Sequence, residues 1–214
     1  MLANAMPLRK FLIHTFLWLP PSFAIWYFSA PYHVAIAGKL ARLLVNQFTS
    51  GVVSAIEQTG SVLLFVTTIK VHPTPEQTAL LLPEVNALLY SYGIALFLAL
   101  MLAEGARWWK FLFGVLILLL FQSWGIAFDL LMQLGIRLGP EVSAAAGLSG
   151  WRLEVIALGY QLGALIFPCL APVALWVAFS RLFSGGLTAQ PTQNQVEPQM
   201  SETQHGRGSH ADNA

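Results

Sequence analysis

The chain has 214 residues, of which 56% are hydrophobic and only 10% are charged. Soluble domains usually carry about 25% charged residues, so this composition excludes an ordinary soluble domain and indicates an integral membrane protein. The 11 basic and 10 acidic residues give a net charge of +1 and form no basic patch, which argues against a nucleic-acid partner.

Long apolar stretches predict four membrane-spanning helices, at about 11–31, 87–104, 111–132 and 153–180. Each supplies close to the roughly 20 apolar residues that a helix needs to cross a hydrocarbon core of about 30 Å. The first follows Arg9 and Lys10, and its length favours an uncleaved anchor over a signal sequence. We therefore expect an all-α integral membrane protein whose membrane domain covers residues 1–183.

The segment 33–86 between the first two spans is expected to lie outside the membrane and to begin with an amphipathic helix. Its polar face would carry Lys39, Arg42, Asn46 and Thr49. Its apolar face would carry Ile36, Leu40, Leu43, Leu44 and Phe48. Such a helix can lie in the membrane interface, or it can pack on the rest of the external segment, and both alternatives stay open.

A small β element is expected after the amphipathic helix. Residues 61–71, SVLLFVTTIKV, are dense in β-branched residues and follow the turn signal Thr59-Gly60. Residues 78–85, TALLLPEV, could pair with them if Pro83 lies at an edge or at a strand end. The pattern predicts two or three antiparallel strands that pack on the bundle or on a partner.

The orientation of the chain follows from its basic residues. Arg107 and Lys110 lie close together in one short turn, and Arg9 and Lys10 directly precede the first span, which favours a cytoplasmic location for both termini.

Residues 184–214 are rich in Gly, Gln, Ser and Pro and contain few large apolar residues. They are predicted to be a disordered cytoplasmic tail.

Three polar residues of the third span, Gln122, Asp129 and Gln133, are spaced by seven and four and therefore share one helical face. We expect Gln122 to pair with Gln161. Asp129 would accept a hydrogen bond from one of four residues of the neighbouring spans: Asn86, Tyr90, Tyr92 or Arg152. The candidate polar cluster, which could also contact a partner, comprises Asn86, Tyr90, Tyr92, Gln122, Asp129, Gln133, Arg152, Glu154 and Gln161. Such a cluster can fix how the spans pack, or it can line a cleft that binds a peptide or lipid headgroup.

Two further features concern helix packing and reactivity. Gly159 and Gly163 form a G-x-x-x-G motif in the fourth span, which lets another helix approach closely. Cys169 is the only cysteine and has no basic neighbour within ten positions on its helix, so a small core residue is expected there rather than a nucleophile. Neither a cofactor nor a metal site is predicted.

Three apolar stretches carry a resemblance to a known family: residues 86–100, NALLYSYGIALFLAL; 121–131, FQSWGIAFDLL; and 157–176, ALGYQLGALIFPCLAPVALW. Over residues 8 to about 183 the chain resembles the exosortase H-associated membrane proteins. The resemblance implies a bacterial inner-membrane protein encoded beside an exosortase, an enzyme similar to a membrane transpeptidase that removes C-terminal sorting signals. It supplies no catalytic residues.

The function expected from this resemblance and from the polar face is that of a non-catalytic accessory protein. The protein itself would be embedded in the lipid bilayer. It would bind the sorting enzyme or its sorting-signal substrate at the outer face of the inner membrane. The alternatives are an intramembrane enzyme that uses Asp129 and Glu154 as an acid/base pair and a small transporter subunit. Without a visible internal repeat, the transporter alternative has less support.

Overall fold

The computed structural model describes residues 8–74 and 77–180. It is mostly helical, with a small antiparallel β element. Within the described residues, three helical segments are long and apolar enough to cross a membrane: Leu8–Thr49, Trp108–Arg137 and Trp151–Phe179. The predicted tail 184–214 lies outside the described residues.

The first two helices, α1 (Leu8–Phe28) and α2 (Ala30–Thr49), are separated only by Ser29. The 42 residues from Leu8 to Thr49 would extend roughly 63 Å at a rise of 1.5 Å per residue, about twice the hydrocarbon thickness of a bilayer. Since α1 alone extends roughly 31 Å, it is long enough to span by itself. It packs on α3, whereas α2 packs on α4 and β1.

Helix α2 buries only part of its predicted apolar face. Leu40, Leu44 and Phe48 pack against the core. Ile36 and Leu43 are 51% and 64% exposed. The reason is size, because small side chains let α4 and the strands approach the helix axis closely. The residues of α2 that are completely buried or nearly so are Ala30, His33, Val34, Ala37, Gly38, Ala41, Val45 and Thr49.

Five short strands follow, rather than the two or three expected: β1 (Val53–Thr59), β2 (Val62–Thr67), β3 (Lys70–Thr74), β4 (Gln77–Leu80) and β5 (Glu84–Asn86). They form an antiparallel sheet in the order β1-β2-β5 and a separate β3-β4 hairpin. Pro83 lies between β4 and β5, where a missing N–H interrupts no ladder. Each of the two predicted strand regions is therefore divided between the two sheets.

The second predicted span, 87–104, consists of a 3₁₀ turn (Ala87–Tyr90) and the helix α3 (Tyr92–Glu104). The 13 residues of α3 extend only about 20 Å, which is short of a hydrocarbon core. A fourth span is therefore not confirmed among the described residues. Helix α3 ends at Gly105, whose positive φ of 68° suits a glycine at a helix C-terminus.

The third and fourth predicted spans are confirmed as long apolar helices. Helix α4 (Trp108–Met132) continues through a π-helical turn, Gln133–Arg137, and the short helix α5 (Pro140–Ala145) follows. Helix α6 (Trp151–Gln161) is joined to α7 (Phe167–Phe179) by a second π-helical turn, Leu162–Ile166. These bounds extend the predicted spans 111–132 and 153–180 by a few residues at one or both ends.

Apolar packing divides into two regions along α4. At one end, Phe97, Met101 and Leu118 are buried between α1, α3, α4 and α7. At the other end, the strands, α2 and α6 enclose a larger core around Phe65 and Leu131. The polar residues of interest lie along the second half of α4, where this larger core meets the strands.

Candidate functional site

Asp129 lies in the second half of α4 and is 8% exposed. Its Oδ1 accepts a hydrogen bond from Arg137 Nη1 over 3.2 Å, which makes an ion pair, and its Oδ2 accepts one from Gln133 Nε2 over 3.4 Å. The Tyr90 side chain also interacts with the carboxylate. Because a nearly buried carboxylate needs such partners, these contacts offset the cost of removing it from water.

A π-helical turn brings Arg137 onto the face of Asp129. In a regular α-helix, residues eight apart point about 80° away from each other, whereas residues seven apart point within about 20°. The π turn at Gln133–Arg137 inserts one residue, so that Arg137 occupies the place of a seventh residue. Its guanidinium can then reach back about two turns to the carboxylate.

The same cluster ties α4 to its neighbours. The guanidinium carbon of Arg137 lies 5.0 Å from the centroid of the Tyr160 ring on α6, in a cation–π contact. Gln133 Nε2 also donates to the main-chain oxygen of Glu84 in β5 over 2.9 Å. Through Asp129 and these two contacts, the polar face of α4 joins β5, the 3₁₀ turn and α6.

Gln122 belongs to a second polar contact, and its expected pairing with Gln161 is wrong. Gln122 is completely buried, and its Oε1 accepts from Nδ1 of His33 on α2 over 3.2 Å. Its Nε2 donates to the main-chain oxygen of Ala87 over 3.4 Å. Gln161 is exposed, because α6 turns this residue away from α4. The amide therefore joins α4 to α2 and to the 3₁₀ turn rather than to α6.

Three of the expected partners of Asp129 make their contacts elsewhere. The side chain of Asn86 accepts from Leu88 N over 3.2 Å and so caps the 3₁₀ turn. The Tyr92 hydroxyl lies 2.9 Å from Cys169 Sγ. Arg152 Nη1 donates to the main-chain oxygen of Gly147 over 3.3 Å. Only Tyr90, of the four partners proposed for the carboxylate, faces it.

Glu154 and Cys169 differ from their expected settings. Glu154 lies in the first turn of α6 and is exposed. Cys169 is also exposed, whereas a small core residue was expected, because its part of α7 faces outward next to Tyr92. The carboxylate of Asp129 pairs with Arg137 rather than with a group on the first turn of α6.

The two glycines of the G-x-x-x-G motif lie where α6 and the following π turn meet α4. A Cβ atom on Gly159 would come within 2.2 Å of the Phe128 ring, and one on Gly163 within 2.8 Å of the Gly125 Cα. Trp124 Nε1 donates to the main-chain oxygen of Gly159 over 3.0 Å across the same contact. Close approach of the two helices therefore depends on both glycines.

Two important residues, Arg137 and His33, were not predicted as cluster members. Arg137 lies beyond the predicted end of the span at 132, and hydropathy does not reveal that a π turn carries the helix onward. The only available signal was a basic residue within reach of Asp129. His33 follows the predicted end of the first span, and the segment after that end was expected to lie outside the membrane. A position on a buried helix face was therefore not expected for His33.

Comparison with known proteins gives one finding. The model of the exosortase H-associated membrane proteins matches residues 5–183. Neither a curated protein nor a solved structure matches the chain. The matched region includes α1 to α7, β1 to β5 and the polar cluster around Asp129.

Proposed function

Since the chain belongs to the exosortase H-associated membrane protein family, we propose that it is a non-catalytic accessory protein of an exosortase-type sorting system. It binds the sorting enzyme or its sorting-signal substrate at the outer face of the inner membrane. The observation that carries this proposal is the family match over residues 5–183, which links the chain to a membrane sorting enzyme by association.

The contacts of Asp129 support an accessory role over an acid/base role. A general acid or base must be free to exchange a proton with a substrate, whereas this carboxylate is engaged by Arg137, Gln133 and Tyr90. Glu154, the partner that the enzyme alternative needs, is exposed on α6 and is not among the contacts of Asp129. The cluster accordingly holds α4, α6 and β5 in one arrangement and supports the surface that the strands present.

The ends of the helices support the proposed orientation. Lys110 Nζ donates to the main-chain oxygen of Phe179, and the rings of Phe11 and Trp176 stack with centroids 5.1 Å apart. These contacts bring the start of α1, the first turn of α4 and the end of α7 together at one end of the bundle. Because Arg9, Lys10, Arg107 and Lys110 belong to that end, the positive-inside rule favours a cytoplasmic location for it. The strands would then face outward.

Site-specific crosslinking tests this proposal. A photoreactive amino acid is placed at the exposed position 84 in β5, and a matched control is placed at Arg107, at the opposite end of the bundle. Irradiation of native membranes followed by mass spectrometry is expected to join position 84, and not position 107, to the exosortase or to a sorting-signal protein. If neither protein is crosslinked at position 84 in cells that express both, the proposed role is wrong.

A further inference from the structure

The three-stranded sheet has an open edge at β1. In the order β1-β2-β5, β1 has only one neighbouring strand among residues 8–74 and 77–180, and its residues from Ser54 to Thr59 are exposed except for the half-buried Ile56. Natural edge strands are usually protected by lysine, proline or a bulge. Here the bulge and the contacts from Arg42 and Asn46 protect the start of the strand, at Val53. At its far end the Gln58 side chain donates to the main-chain oxygens of Pro31 and Gly60, which leaves the main-chain groups of Gln58 unengaged by these contacts.

The register shows which main-chain groups face this edge. Phe65 N donates to Pro83 O and Thr67 N to Leu81 O, so odd-numbered residues of β2 direct their main chain away from β1. Even-numbered residues of β2 therefore pair with β1, and they lie opposite Ala55, Glu57 and Thr59. In an antiparallel ladder the alternate residues face the other way. Ile56 and Gln58 thus direct their N–H and C=O groups to the open edge.

The exposed face of the sheet is acidic. Glu57 on β1 and Glu84 on β5 both lie opposite Leu64 of β2, so the three side chains share one face of the sheet. Both glutamates are exposed, and neither takes part in an ion pair within the described residues. A strand added beside β1 would place one of its side chains next to Glu57, where a basic residue is favoured and an acidic one is disfavoured.

A second copy of the chain fits this edge poorly. The antiparallel pairing that uses the free groups of both Ile56 and Gln58 in each copy would place Glu57 directly opposite Glu57 of the other copy. Like charges in that position are destabilising. Repulsion between the two Glu57 carboxylates therefore disfavours a second copy of the chain at this edge.

We propose that the edge of β1 binds an extended, basic segment of a partner polypeptide, which adds as a fourth strand to the sheet. The main-chain groups of Ile56 and Gln58 provide the hydrogen bonds, and Glu57 provides the preference for lysine or arginine. This inference goes beyond the proposed function, because it concerns how a segment is recognised and does not depend on which protein supplies it.

Amide hydrogen exchange, read by NMR on the full chain in a lipid nanodisc, tests the proposal. The probe is an eight-residue peptide that alternates threonine and valine with lysine near its centre. We expect the peptide to slow exchange at the Ile56 and Gln58 amides by about tenfold or more, while the amides of Glu57 and Thr59, already paired with β2, change little. A peptide with glutamate in place of lysine should give a smaller effect.

Two controls separate strand addition from other binding. The same lysine peptide with N-methylated alternate residues cannot complete the ladder and should not slow exchange. Glu57→Lys should reverse the preference toward the glutamate peptide, whereas Glu154→Lys, a charge reversal on exposed α6, should leave it unchanged. An unchanged amide spectrum away from β1 shows that each variant is folded.

Three results would overturn the proposal. They are no slowing with the lysine peptide up to about 1 mM, equal slowing with the N-methylated peptide, and slowing without peptide that rises with protein concentration. The third would assign the edge to a second copy of this chain. A failure to find an exosortase in the crosslinking experiment would leave the peptide result unaffected, so the two proposals fail separately.

Discussion

Breaking the ion pair between Arg137 and Asp129 from each side should have unequal costs. Asp129 is nearly buried, with a side chain 11% exposed, whereas the Arg137 side chain is 47% exposed. Arg137→Gln leaves a carboxylate in a poorly hydrated site without its charged partner, at a cost of about 2 kcal/mol. Asp129→Asn leaves an arginine that water can reach and an amide that Gln133 can still contact, at a cost of about 1 kcal/mol.

The double variant decides between a structural pair and two independent residues. Fully buried pairs lose about 3–5 kcal/mol when one partner is removed, and exposed pairs are worth about 0–1 kcal/mol. A pair with one half-exposed member should lie between these limits, so we expect a coupling energy of about 1–2 kcal/mol. Asp129→Asn with Arg137→Gln should then cost less than the sum of the two single changes.

Equilibrium unfolding of the full chain in lipid bicelles, followed by steric trapping, measures these free energies of unfolding. Arg152→Gln serves as the matched control, because Arg152 is exposed and donates only to the main-chain oxygen of Gly147. It should change the stability by less than about 0.5 kcal/mol. Additive single changes, or a larger loss for Asp129→Asn than for Arg137→Gln, would refute the description of this pair as a structural anchor.

Two other substitutions test the packing of α4. Gly163→Ala should destabilise the protein by about 1–3 kcal/mol in the same unfolding assay, because its new Cβ would lie 2.8 Å from the Gly125 Cα. Leu165→Ala, a matched change at an exposed position, should cost less. Gln122→Leu should cost about 1–3 kcal/mol because it leaves the His33 ring nitrogen without its acceptor, and adding His33→Phe should recover part of that loss. Equal losses of stability for Gly163→Ala and Leu165→Ala would contradict the close approach of the helices at Gly163. Additive losses for Gln122→Leu and His33→Phe would contradict the hydrogen bond between these two side chains.

Hydropathy predicted α4 and the joined helices α6 and α7 well, because length and apolar composition alone determine whether a helix can span a bilayer. The spacing of Asp129 and Gln133 correctly placed both on one face. The hydropathy pattern could not reveal the π turn that aligns Arg137 with Asp129, because one extra residue in a helical turn does not change the mean hydropathy of the segment.

The N-terminal half was predicted less accurately because tertiary packing overrides amphipathic pattern there. Of the large residues on the predicted apolar face of α2, Leu40 and Leu44 pack against the core and Leu43 is exposed. The completely buried positions include Ala37 and Ala41, because small side chains permit the close approach of α4. In the strands, Pro83 was expected at an edge or at a strand end, and it lies between β4 and β5. The partition into two sheets depends on long-range pairing that composition does not specify.

Association of this chain with a sorting enzyme is tested most directly by recovery of the exosortase with it in mild detergent. Both proteins are expressed from their own host at native level, the chain is affinity-tagged, and the exosortase in the eluate is quantified by mass spectrometry. We expect enrichment of the exosortase over an unrelated membrane protein of similar abundance, and retention of that enrichment in Arg152→Gln. An eluate in which the exosortase is no more abundant than that unrelated protein would contradict the proposed accessory role.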